Sequence, residues 1–197
     1  MWYWIFRAVF IVISKLFFRL KVEGSENLPQ KSNFIVVANH ASFLDSVMIG
    51  TAIPKKTYWI ALRALYKIFW LRWFFRLVEA LPSGSSSEKA VYLLRENKNV
   101  GLFPEGGVSR DGRLRRFRRG AALLAFKTGR PIVPCAILGT FAALPFGAKF
   151  PKFLPIKIKI GKPKYLLKEF ENVIDDIRLQ EGISKIRNTI QEMLYAG

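Results

Sequence analysis

The stretch FIVVANHASFLD at residues 34–45 combines a predicted strand with polar side chains at its end. Its first five residues are apolar, with two valines and an isoleucine, which favours a strand buried on both faces. The only histidine, His40, and the acidic Asp45 follow. A helix is predicted over residues 45–53, so both polar groups fall where a strand turns into a helix.

A second strand with this arrangement is predicted over residues 99–103 and is followed by Pro104, Glu105, Gly106 and Gly107. Other β-rich runs alternate with helical stretches along the chain. The alternation predicts an α/β fold, a single-domain layered sheet, partly parallel and flanked by helices. The remaining predicted elements are strands over residues 131–137 and 156–160, helices over residues 86–96, 120–128 and 173–194, a loop at residues 81–87 and a turn at residues 128–131.

Two chemical interpretations of His40 are open from this fragment. Asp45 can accept a hydrogen bond from one ring nitrogen of His40 and fix its tautomer, so that the other nitrogen faces a substrate as a base. The alternative is a structural histidine with satisfied hydrogen bonds.

The loop at Glu105 and Gly106 leads into an arginine-rich run. Its glycines allow backbone N–H groups to approach an anion closely. Six arginines occupy residues 110–119, with only Asp111 to offset them. An anion-facing role for this run is favoured over a solvated surface.

Composition sets further limits on function. The chain has 197 residues, 51% hydrophobic and 23% charged, which excludes intrinsic disorder and suits one compact domain. The lone Cys135 excludes an internal disulfide, and a single histidine leaves a Cys/His zinc site without enough ligands. No metal site is expected.

The net charge is +18 at a mean hydropathy of +0.16. Strong positive charge on an apolar chain predicts an anionic partner met at an apolar surface, with membrane lipid ahead of nucleic acid.

The N-terminal residues 1–20 are apolar apart from Arg7, Ser14, Lys15 and Arg19. They are predicted to form an amphipathic helix lying in the membrane interface, since a span needs about 20 uninterrupted apolar residues. The domain division is therefore a membrane-anchoring helix over residues 1–22 and a second domain over residues 23–197. A tilted span and a core helix are the alternatives. The aromatic and basic segment over residues 66–78 is either a second membrane contact or ordinary packing.

Together, His40-x4-Asp45 and Phe103-Pro104-Glu105-Gly106 resemble the motifs of the glycerolipid acyltransferase family, whose best-known members acylate lysophosphatidic acid. The resemblance implies that residues 23–197 are the acyltransferase domain. It implies that His40, held by Asp45, removes a proton from an acceptor hydroxyl that attacks an acyl thioester, without an acyl-enzyme or a cofactor. It further implies that Glu105 and Gly106 shape the acceptor site and that Arg63 contacts the donor or the oxyanion. The donor is acyl-CoA or acyl carrier protein, and the enzyme is expected on the cytoplasmic face of the cell membrane.

The chain departs from the family pattern at the acceptor site. Val108 stands where the family commonly has an arginine that binds the acceptor phosphate, and Arg110 is the expected substitute. The acceptor is therefore 1-acylglycerol-3-phosphate or another lysolipid, such as a lysophospholipid or lyso-aminolipid. A non-catalytic basic module that binds membrane or nucleic acid is the alternative from a different class; no recognised nucleic-acid motif appears in the sequence.

Overall fold

The computed structural model describes residues 2–84, 86–166 and 176–196. The described strands join in one seven-stranded sheet, in the order β1-β7-β6-β2-β5-β3-β4. The strands are β1 (Lys21–Glu23), β2 (Ile35–Ala38), β3 (Thr57–Ala61), β4 (Leu81–Pro82), β5 (Asn99–Leu102), β6 (Ile132–Leu138) and β7 (Lys157–Ile160). The helices are α1 (Trp2–Phe18), α2 (Leu44–Ala52), α3 (Phe69–Leu77), α4 (Ser86–Arg95), α5 (Gly120–Thr128), α6 (Thr140–Ala143) and α7 (Asp176–Tyr195), with 3-10 turns at Ser25–Asn27 and Arg63–Lys67.

The centre of the sheet is parallel. β2 pairs in parallel with β5 and β6, and β5 pairs in parallel with β3, whereas β7 runs antiparallel to β6. The carboxyl ends of β2, β3, β5 and β6 therefore share one edge of the sheet. The predicted α/β fold with a partly parallel sheet is confirmed.

Helices cover both faces of the sheet. In β2, Ile35 and Val37 belong to one core with residues of α4, α5 and α7. Val36 and Ala38 belong to the other core, with residues of α2 and Phe18 of α1. Because successive strand residues point to opposite faces, burial on both sides requires the unbroken apolar runs seen in the sequence.

The prediction of a loop over residues 81–87 is wrong in part. Leu81 and Pro82 form β4, paired with Ile60 and Ala61 of β3. Proline is tolerated there because β4 is an edge strand. Helix α4 begins at Ser86, and Ser85 lies outside the described residues.

Two further helices lie in the segment over residues 66–78 and at the end of the chain. The segment over residues 66–78 contains α3 from Phe69, preceded by a 3-10 turn. The terminal helix is described from Asp176, and the predicted start over residues 173–175 lies outside the described residues.

Helix α1 turns Arg7 and Ser14 towards the protein, whereas Lys15 is exposed. The Arg7 guanidinium donates from Nη2 to the carbonyl oxygen of Thr51 at 2.9 Å, and Ser14 is buried. Apolar side chains are exposed instead, namely Trp4, Ile5, Val9, Val12, Leu16 and Phe17. No helix among the described residues is long and apolar enough to cross a bilayer.

Candidate active site

The loop after β2 holds His40 and Asp45 in contact. Nδ1 of His40 lies 3.0 Å from Oδ2 of Asp45, which also accepts the backbone N–H of Ser42 at 2.7 Å. Asp45 is completely buried in the first turn of α2, whereas the His40 side chain is 13% exposed. Because an ionised carboxylate only accepts hydrogen bonds, Nδ1 carries the hydrogen and Nε2 is left with a lone pair.

Two stacked aromatic side chains cover one face of the His40 imidazole. Phe103 lies parallel to the imidazole with ring centroids 4.1 Å apart, and Trp59 of β3 stacks on Phe103 at 5.2 Å. Trp59 in turn covers Gly101, where an added Cβ would come within 2.7 Å of the indole. A glycine in the middle of β5 thus makes room for the indole, which positions the phenyl ring against the histidine.

Glu105 connects the two strand-end loops. Its Oε1 accepts the backbone N–H of His40 at 2.7 Å, and its Oε2 accepts the backbone N–H of Arg115 at 3.0 Å. The backbone N–H of Ser109 also donates to the carbonyl oxygen of His40 at 2.8 Å. Burial raises the pKa of the Glu105 carboxyl, although both N–H donors and the nearby charges of His40 and Arg115 act in the opposite direction. This carboxylate therefore fixes the His40 backbone and the start of the arginine run together.

Gly106 brings a guanidinium group onto the loop. Its φ of +74° favours glycine, and a Cβ there would lie 2.6 Å from the Cζ of Arg118. The backbone N–H of Arg118 donates to the carbonyl oxygen of Pro104 at 2.8 Å, which fixes this arrangement. Arg115 also approaches, with Nη1 3.8 Å from where a Gly107 Cβ would be. The positively charged side chains of Arg118 and Arg115 thus lie next to Gly106 and Gly107, the glycines of the predicted anion-binding loop.

The remaining predicted site residues are Arg110 and Arg63. Arg110 is exposed, with Cζ 5.5 Å from the ring centroid of Phe146. Arg63 follows β3 at the same edge of the sheet, and its backbone N–H donates to Ser83 Oγ at 3.1 Å. Within the described residues, its side chain forms no hydrogen bond or ion pair with His40, Glu105 or Arg110. The structure therefore joins His40 with Asp45 and Glu105 through hydrogen bonds, and Gly106 follows Glu105 in the same loop.

Sequence reasoning missed the positioning role of Trp59 and Phe103 and did not distinguish Arg118 within its run. A glycine inside a predicted strand, Gly101, was the available signal for close approach of a large side chain. The position of Arg118 had no comparable signal.

The described residues offer no other obvious reactive group. They contain no cluster of three or more His, Cys, Asp or Glu side chains suited to a metal ion. Cys135 is fully buried, and burial raises the pKa of its thiol far above the usual range. Ser42 is also buried, and its hydroxyl donates to the carbonyl oxygen of Leu144 at 2.8 Å.

A sheet that presents a histidine–carboxylate pair and a glycine loop at one edge defines an enzyme-like site suited to base chemistry, with arginine side chains close to the glycines. The family model described as Acyltransferase matches residues 19–138. The chain belongs to the acyltransferase family, and the resemblance seen in the sequence is confirmed.

The relatives carry one activity in their names. A chloroplastic 1-acyl-sn-glycerol-3-phosphate acyltransferase of Arabidopsis thaliana is 31% identical over 68% of this chain, and the chain spans only 40% of its length. A 1-acyl-sn-glycerol-3-phosphate acyltransferase of Bacillus subtilis is 30% identical, with 88% of this chain and 87% of the relative covered. The chain spans about half of the chloroplastic Brassica napus and the Borreliella burgdorferi relatives, at 46% and 52%.

A solved structure shares the fold. The crystal structure of the 1-acyl-sn-glycerophosphate acyltransferase PlsC from Thermotoga maritima is 28% identical, with a TM-score of 0.76, and covers 95% of this chain and 79% of that one. The single layered α/β domain predicted from the sequence is confirmed by this likeness.

Proposed function

We propose that this protein transfers a fatty acyl group from an acyl thioester to the free hydroxyl of a lysolipid, with 1-acylglycerol-3-phosphate as acceptor and phosphatidic acid as product. The observation that carries the proposal is the His40–Asp45 pair at 3.0 Å, set at a strand end in a chain of the acyltransferase family. The names of the Arabidopsis and Bacillus relatives support the choice of acceptor.

The mechanism follows from the hydrogen bonds of His40. Nε2 removes the proton of the acceptor hydroxyl as its oxygen attacks the thioester carbonyl carbon, and Asp45 stabilises the imidazolium that forms. The tetrahedral intermediate then collapses: the carbon–sulfur bond breaks, the new ester remains, and the proton passes from Nε2 to the departing thiolate. No group of the protein is acylated, and no cofactor takes part.

The phosphate of the acceptor needs a cationic side chain. Because the residue at position 108 is valine, that cation must come from another position. Arg110 is one candidate. Arg118, whose guanidinium lies against Gly106, is another of the same chemistry. Arg63 is proposed for the donor or the oxyanion. Because Val108 replaces a family arginine, a lysolipid with another headgroup is the second candidate acceptor.

The proposed donor is acyl-CoA or acyl carrier protein, both of which are acidic and suit a chain of net charge +18. The protein is proposed to attach as a monotopic membrane protein to the cytoplasmic face of the cell membrane. Residues 1–22 are proposed as the anchor, supported by the outward apolar face of α1, and residues 23–197 as the catalytic domain. Nucleic acid is not a proposed partner.

The test measures release of free thiol from acyl-CoA with and without 1-acylglycerol-3-phosphate, with the product identified by mass. Release that depends on the acceptor and is lost in a folded His40→Ala variant supports the proposal. Vesicle binding without release would favour the non-catalytic basic module instead.

An acceptor panel tests the headgroup. We expect Arg110→Ala and Arg118→Ala each to lower kcat/KM for 1-acylglycerol-3-phosphate by roughly 10- to 150-fold, the value of a charge-assisted hydrogen bond. Arg116→Ala, in the same run but beside Asp176 in a separate cleft, is the matched control. A parent enzyme that prefers acceptors without a terminal phosphate would replace the first acceptor by the second.

A further inference from the structure

The segment between α6 and β7 is hydrogen-bonded at one end to the His40 loop and at the other end to the last residue of α1. At its start, Ser42 Oγ in the His40 loop donates to the carbonyl oxygen of Leu144 at 2.8 Å. At its end, the backbone N–H of Ile156 donates to the carbonyl oxygen of Phe18 at 2.9 Å. Between these, the N–H of Lys152 donates to the carbonyl oxygen of Ala143 at 2.7 Å. Residues 144–156 thus form a fixed bridge from the His40 loop to the end of α1.

This bridge exposes large aromatic side chains. Phe150 is 83% exposed, and Phe153 is exposed although its ring lies 5.0 Å from that of Phe17. Phe43, between His40 and Asp45 in the chain, is 56% exposed and stacks on Phe146 at 6.2 Å. We name Phe43, Phe146, Phe150 and Phe153 the aromatic rim. Through Phe17 it continues into the exposed apolar face of α1.

The aromatic rim carries positive charge. Lys149 and Lys152 are exposed within the bridge, and Arg110 lies over Phe146. No Asp or Glu occurs between Asp111 and Glu169. Aromatic side chains among cations match the headgroup region of an anionic bilayer, where the rings reach the acyl boundary and the cations meet phosphates.

The cleft beside His40 is too small for two lipid chains. The space lined by His40 and Glu105 is about 220 Å³, whereas pockets for drug-sized ligands measure about 300–1,000 Å³. The acyl chains of a lysolipid and of an acyl donor therefore need an apolar environment outside this cleft.

We propose that the aromatic rim is a docking surface for an anionic phospholipid bilayer, in addition to the adjoining helix anchor, and that it places the opening at His40 directly on the lipid. A lysolipid would then reach His40 from the bilayer with its chain still in lipid. This consequence rests on the proposed function, whereas the docking itself does not.

A lipid surface fits this bridge better than a protein does. Residues 144–156 contain no helix and no strand, so they offer neither a helix face nor a strand edge to a protein. Lysine is depleted from protein–protein interfaces but is attracted to anionic membranes.

Vesicle binding tests the docking surface. Sedimentation with phosphatidylcholine vesicles containing phosphatidylglycerol should show about tenfold weaker partitioning for Phe150→Ser, because an aromatic side chain no longer enters the interface. Tyr92→Ser is the matched control, since Tyr92 is 62% exposed on α4, on the other face of the sheet. Equal partitioning of Phe150→Ser and the parent would overturn the proposal.

A fluorescent label locates the contact. Cys135 is fully buried, so a thiol introduced at an exposed position is the one accessible to an environment-sensitive dye. We expect the label at Phe150→Cys to shift to shorter wavelength on adding these vesicles, and the label at Tyr92→Cys to stay unchanged. Bound protein without a shift at position 150 would assign the aromatic rim to another partner and refute lipid docking.

Acyltransfer separates this proposal from the proposed function. Phe150→Ser should slow transfer to lysolipid in vesicles about tenfold more than transfer to a monomeric short-chain lysolipid. Equal slowing with both substrates would place Phe150 in the active site and overturn the docking role. Vesicle binding by the parent together with the shift at Phe150→Cys, but without acylation of any lysolipid by the parent, would retain the docking surface and refute the proposed function.

Discussion

A single oxygen of Asp45 accepts from both the His40 ring and the Ser42 backbone. Asp45→Asn can keep both bonds only by placing its amide oxygen there, which buries the NH2 group and removes the charge that stabilises an imidazolium. We expect the variant to fold and kcat to fall by about 10²- to 10⁴-fold. Steady-state thiol release, with circular dichroism for folding, measures this. Turnover near that of the parent would refute the proposed His40–Asp45 pair.

The raised pKa of Glu105 makes stability depend on pH. A carboxyl whose pKa is higher in the folded state binds its proton more tightly there, so its contribution favours folding at low pH and is lost as pH rises above about 4.3, the ordinary glutamate value. Glu105→Gln does not titrate. The free energy of unfolding of the parent, measured in urea from acid to neutral pH, should therefore fall relative to that of Glu105→Gln as pH rises. Glu26→Gln, at an exposed position, is the control; a constant difference across pH would contradict the prediction.

Phe103 is a positioning residue, because it acts on the reaction through the imidazole that it covers. Phe103→Leu keeps an apolar side chain but loses the flat surface, so we expect kcat to fall about 10- to 100-fold with little change in KM. Phe103→Tyr, which keeps the ring, should recover most of the rate. A rise in KM with kcat unchanged would show that Phe103 acts by contact with the substrate. No recovery of kcat by tyrosine would show that it acts by packing.

Individual site residues could be predicted where chain order alone brings them together. His40 and Asp45 are five residues apart, and Glu105 follows a strand whose hydrophobic pattern is clear. The stack of Trp59 on Phe103 depends instead on β3 lying beside β5, which is a property of strand order. The contact of Arg118 with Gly106 likewise depends on the path of a loop without regular structure.

Among the secondary-structure elements, the central strands were predicted well from the sequence. A strand that is buried on both faces has an unbroken run of apolar residues, which is easy to recognise. β1 and β4 have three and two residues, too few to show any pattern. Their pairing comes from neighbouring strands that present free backbone groups at the sheet edges.

Helix α1 combines structural packing on one side with an exposed apolar face on the other. Val12→Ser with Leu16→Ser changes only exposed positions, so stability should stay within about 0.5 kcal/mol of the parent. Binding to anionic vesicles should fall at least about tenfold, because two apolar side chains leave the interface. Phe18→Ala, which empties a buried site, should instead cost about 3–5 kcal/mol of stability. Unchanged vesicle binding in the double variant would contradict the anchor over residues 1–22.

Across the whole molecule, charge and apolar surface occur together. The chain of net charge +18 has a stretch without acidic residues, 112–168, that contains α5, β6, β7 and three of the four phenylalanines of the aromatic rim. The sequence predicted an anionic partner from this excess, but only the folded chain shows that exposed lysines and aromatic rings share one surface beside His40.

This charge predicts a strong dependence of membrane binding on salt. Raising the ionic strength from about 0.01 M to about 0.1 M shortens the Debye length from about 30 Å to about 10 Å. The electrostatic attraction between lysines and lipid phosphates beyond that distance is then screened. We expect partitioning to phosphatidylglycerol vesicles to fall steeply with salt, and the slope to decrease in Lys149→Gln with Lys152→Gln. Lys89→Gln with Lys185→Gln removes equal charge from α4 and α7, and should keep the parent slope. If both double variants change the slope equally, net charge alone governs binding; if neither does, apolar insertion holds the protein on the membrane.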